Sequence, residues 1–173
     1  MTTENSAPVK NYLQIAAIAS LALVAIQAYF FVIMVIGLIS SDMFALIFRI
    51  LITNSPFYIS GALFLAGAFG LLNASAWGWI LVTGAAAYRL LGTLYHWISM
   101  MHIDMFDIKE FSDALYPISI LLYILILILM LLPTVRRALE IEIGNAALAF
   151  IVPGVLFPLQ VVMQFIVNFF GLY

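Results

Sequence analysis

The chain has 173 residues, of which 66% are hydrophobic and only 8% charged, with a formal net charge of −2 and no cysteine. A chain this size hides only about 70% of its surface on folding, so water is excluded as the main solvent and lipid takes its place. The same counts exclude disulfides, thiolate metal sites, a cysteine nucleophile and a basic stripe that could track the phosphates of a nucleic acid.

The expected fold class is all-α: a polytopic integral membrane helical bundle. It has four to five transmembrane helices and a short interfacial or re-entrant helix. A polar tail over residues 1–11 precedes a single membrane domain over 12–173. The first apolar run, Tyr12–Ile39, is far longer than the about 7–15 residues of a signal-peptide core, so it reads as an uncleaved span. At 1.5 Å per residue it reaches roughly 42 Å, so it tilts or protrudes. After Ser40, Ser41 and Asp42, the stretch 43–52 is too short to cross and reads as the interfacial or re-entrant helix. Ser55 as N-cap and Pro56 at the first helical position then open span two, Phe57–Leu72. Its small residues Ala62, Ala66 and Gly70 recur every fourth position, a spacing that lets helices pack closely.

A tight turn over Asn73–Ala76 leads to span three, Trp77–Ser99. Trp77 and Trp79 mark one water interface and Tyr95 and Trp97 the other. The longest polar loop, Met100–Ser112, follows. Asp113 can cap span four, Ala114–Leu132, which Pro133 ends. Arg136 and Arg137 come next, and Leu139–Ile143 alternates with Glu140 and Glu142 as a surface segment does. Span five, within 146–173, carries no charge. Pro153 and Pro158 predict a kink or break near its first third, with a re-entrant pair of half-helices as the alternative. Lys10, Arg136 and Arg137 against Arg49 and Lys109 favour a cytoplasmic N-terminus.

Arg89 stands near the middle of span three. A mid-helix arginine costs roughly 2.5–3.5 kcal/mol on insertion scales. Its side chain falls short of the interface, about 15 Å away, so it should turn inward and find acceptors. Every carboxylate lies outside the spans. What remains is neutral: Gln27 in span one, Gln160 in span five, and the Gly154 carbonyl that Pro158 leaves without a donor. The expectation is an intramembrane polar cluster of Arg89, Gln27 and Gln160, extended along span five by Gln164 and Asn168. Such a cluster either holds helices together by hydrogen bonds or lines a substrate path.

Further along span three, Thr93 and His96 extend the face of Arg89, with Tyr88 and Tyr95 beside it. His96 reads as an interfacial hydrogen-bonding residue or, with the two tyrosines, as an outer proton relay or access point. Met100, Met101 and His102 are weak candidates for soft-metal ligands. His96 and His102 are six residues apart and do not superpose on one helix, so no metal or cofactor is expected. Metalloprotease, P-loop, dinucleotide and serine-elbow motifs are all missing.

The expectation is therefore against an enzyme. The leading reading is a non-catalytic accessory, scaffolding or assembly subunit, with the lipid bilayer and another membrane protein subunit as partners. The alternative is a small transporter or channel component that binds an anion or carboxylate near Arg89. A cofactor-bearing membrane enzyme subunit comes third.

Overall fold

The computed structural model of the protein describes residues 6–40, 51–52, 54–99 and 111–169. Among the described residues the protein is an all-α bundle. In chain order its helices are α1 (Ser6–Ser40), α2 (Ser55–Leu72), α3 (Ala76–Ser99), α4 (Phe111–Leu131), α5 (Pro133–Ala138) and α6 (Ile143–Phe169). Two stretches are long and apolar enough to cross a membrane, Ala7–Ile39 and Ser55–Leu72, and Pro117–Leu131 and Ala147–Met163 are shorter apolar helices. The expected short helix over 43–52 falls outside the described residues, except that Leu51 and Ile52 are helical.

Several boundaries differ from the sequence expectation for local reasons. α1 starts at Ser6, so half of the expected polar tail forms its first turns. Ser55 is the first residue of α2 and does not cap it, since its hydroxyl donates backward to the Ile52 carbonyl at 2.8 Å. α4 starts at Phe111, which puts Asp113 inside the helix. α6 runs unbroken through Pro153 and Pro158, so no pair of half-helices forms. The carbonyl that Pro153 leaves without a helical donor is that of Ala149. Gly84 of α3 faces it so closely that a Cβ there would stand 2.6 Å from this oxygen.

α2 and α3 form the tightest pair. Their backbones touch at Gly70 and Gly78, where a Cβ on Gly70 would stand 2.5 Å from the Gly78 Cα. The turn between them is a Schellman motif: Ser75 N–H donates to the Gly70 carbonyl and Ala74 N–H to that of Leu71, both at 2.9 Å. Ala74 holds the left-handed position with φ of 50°. Of the expected contact stripe, Gly70 lies buried in the helix contact, Ala66 is half-buried and Ala62 is exposed. The buried face of α2 runs Ser60, Gly61, Phe64, Gly67, Ala68, Gly70 and Leu71. That is the three-and-four spacing of a helix with one packed side.

Trp79 corrects the expectation of an interfacial belt residue. It is 1% exposed and donates its indole N–H to the Met130 carbonyl at 2.7 Å, an end carbonyl of α4. Trp77, two positions earlier, is half exposed.

The remaining contacts set helix directions. Gln27 meets Gly61, and Tyr58 reaches Met34, so α1 and α2 are antiparallel. Trp79 meets Met130 and Arg89 meets Tyr123, so α3 and α4 are antiparallel. α6 lies along α3, which is its main neighbour. The buried core gathers at one end of the bundle, around Leu13 to Leu23, Phe64 to Leu71, Trp79 to Ala86, and Ile126 to Leu139. Outward faces are apolar as well: Ile18, Leu121, Phe150 and Phe165 are each about two-thirds exposed.

Candidate binding site around Arg89

Beyond this core, towards the end where α1 and α3 finish and α2 and α4 begin, the four helices separate around a cavity of about 270 Å³. Helical periodicity builds its polar wall. Arg89 and Thr93 are one turn apart on α3, Ser119 and Tyr123 one turn apart on α4, and Gln27 comes from α1. Ile26, Phe30, Phe57 and Ile120 make the apolar remainder.

Arg89 is held on two sides. Its Nε–H donates to the Tyr123 hydroxyl at 3.2 Å. Its guanidinium carbon lies 4.0 Å from the centre of the Phe57 ring, a cation–π contact. Tyr123 is itself fixed, stacked on Phe64 with ring centres 5.9 Å apart and planes 18° apart. The chain of support therefore runs Phe64, Tyr123, Arg89, Phe57, across three helices. Among the described residues no carboxylate pairs with Arg89.

Gln27 is 7% exposed and its amide nitrogen has no hydrogen-bond partner. Its amide oxygen presses on Gly61, whose lack of a Cβ makes the room. Two other buried polar atoms lack partners, Thr83 Oγ1 and Arg136 Nε, and neither residue lines the cavity. Ser119 spends its proton on the Leu115 carbonyl at 2.7 Å. The Tyr123 hydroxyl accepts from Arg89 and keeps its own proton free to donate. Among the described residues, unspent donors thus outnumber acceptors, and the one formal charge on the wall is positive.

The structure divides the expected cluster between two places. Arg89 and Gln27 share the cavity with Thr93. Gln160 instead accepts a 2.7 Å hydrogen bond from the buried Tyr88 hydroxyl, tying α6 to α3 on another side. Gly154 is exposed, with nothing near its Cβ position, so its carbonyl is not part of the Arg89 site. Tyr95 is exposed and meets the Phe157 ring edge-on at 5.7 Å. Gln164, Asn168 and His96 lie in helices, but their side chains are outside the described set, as are Met100, Met101 and His102 entirely. Tyr123, Phe57 and Ser119 were not foreseen. One signal was available: Ser119 and Tyr123 are the consecutive polar-tipped residues of α4, four apart, and so share one face.

No family model, curated protein or solved structure matches this chain.

Proposed function

We infer that this is a multi-pass membrane protein, crossing with α1, α2, α3, α4 and α6, and that it serves as a small transport component binding an anion beside Arg89. The apolar outward faces support the membrane reading, since a water-facing surface rarely carries contiguous apolar area on this scale. Orientation follows from charge. Lys10 in the opening turns of α1 and Arg136 and Arg137 on α5 share one end, because α1 packs against α5. With that end cytoplasmic, the Arg89 cavity lies in the outward half.

One observation carries the anion reading: the guanidinium opens on a cavity between four helices with no acid among the described residues to neutralise it. Arg89 is half-buried, so water screens its unpaired charge only in part, and an exchangeable anion would lower the remaining cost. An accessory subunit whose partner supplies the acid calls for Arg89 on an outer wall. Here it faces a partly open cavity shared by four helices.

The test is anion flux from liposomes holding the purified protein. Wild-type protein should release anions faster than empty liposomes, and Arg89→Gln should abolish the gain. Flux equal to that of empty liposomes, together with Arg89-dependent copurification of a second membrane protein, would replace this reading with the subunit one.

A further inference from the structure

We propose that the ligand of the Arg89 cavity is an organic monoanion: one carboxylate head on an apolar body about the size of benzoate or octanoate. This deepens the anion reading and rests on it. The head is defined by geometry. Arg89 Nε is committed to Tyr123 and one face of the guanidinium is covered by Phe57, so the free edge is the pair of terminal nitrogens. That edge donates two parallel N–H groups and matches the two oxygens of a carboxylate. The unpartnered, nine-tenths-buried Gln27 amide nitrogen and the free Tyr123 proton are further donors to the same head.

The charge is limited to one. Among the described residues Arg89 is the sole cation on the wall. A dianion such as phosphate or a dicarboxylate would keep an unpaired negative charge in a low-dielectric site.

The apolar body follows from the walls and the volume. Ile26, Phe30 and Ile120 offer nothing to a hydrated inorganic ion. The partly open cavity, of about 270 Å³, has room for the apolar body of a small organic acid beside the charged head.

The experiment measures the thermal midpoint of the purified protein in lipid nanodiscs against added probes. A ligand that binds only the folded form raises the midpoint with concentration. Benzoate and octanoate should raise it. Benzamide, nitrate, phosphate and terephthalate should not. Arg89→Gln should weaken the benzoate response about 10–100-fold, the range expected for losing a charge-assisted pair. If that variant does not fold, Ile120→Trp serves instead: it fills the apolar part and should remove the octanoate response. Stabilisation by nitrate or phosphate with none by benzoate overturns the monoanion proposal and leaves the anion reading standing. Equal stabilisation by benzamide or terephthalate also overturns it. No response to any anion overturns both.

Discussion

The Phe57 ring lies 4.0 Å beneath the guanidinium carbon of Arg89, so the first turn of α2 fixes the charge carried by the middle of α3. Cation–π contacts are worth about 0.5–2 kcal/mol, rising as water is excluded. Phe57→Leu keeps the apolar volume near constant and removes the ring. Denaturation in detergent should show a loss within that range. Arg89→Gln should add no further loss from this contact when the two changes are combined.

Tyr123→Phe isolates the hydroxyl. The stack on Phe64 survives, while Arg89 Nε loses its acceptor. A hydrogen bond to a charged group is worth about 1.5–3 kcal/mol. The expected outcome is destabilisation of that size in wild-type background and little in Arg89→Gln background. A double-mutant cycle measures the difference as coupling.

Gln27→Met separates stability from binding. The substitution removes a buried amide nitrogen that has no partner, so stability should hold or rise by about 1 kcal/mol. Benzoate-induced stabilisation should fall. A pair of glycines makes a matched contrast on α3. Gly84→Ala sets a Cβ 2.6 Å from the Ala149 oxygen and must push α6 away, whereas Gly92→Ala meets nothing within 4 Å. The first should lower the thermal midpoint and the second should raise stability by up to about 1 kcal/mol, the helix-propensity difference.

Ala74→Gly tests the hairpin turn. Ala74 sits at the left-handed position of a Schellman motif, φ 50°, where a side chain costs roughly 1–2 kcal/mol. Glycine there should stabilise the protein by about 1 kcal/mol, read as a shift in the denaturation midpoint.

The sequence made Arg89 visible because a charge in an apolar helix has few explanations. It hid Tyr123 and Phe57, because an aromatic in an apolar helix looks like packing until a neighbour shows what it touches. The aromatic expectation for Trp79 failed on geometry. Residues 77 and 79 are two steps apart, about 200° around a helix, so they point to opposite sides and only one can face outward. The small-residue stripe misled similarly. Strict fourfold spacing picked the exposed Ala62 along with the packed Gly70, while the packed side of α2 alternates three and four and also uses Gly61 and Gly67. Proline in α6 signalled a break that the helix does not make, because each proline removes only one bond, Pro153 at Ala149 and Pro158 at Gly154, and α3 offers a glycine opposite the Ala149 oxygen.

The packed core occupies one end of the bundle and the Arg89 cavity lies beyond it, which gives the molecule an uneven rigidity along its length. Backbone amides of Leu13–Leu23 and Ile126–Met130 should exchange their hydrogens slowest, and those near Thr93 and Ile120 earliest. At the packed end α2 and α3 are clamped where glycine meets glycine at residues 70 and 78, and at the other end the same two helices are linked through a side chain, Phe57 against Arg89.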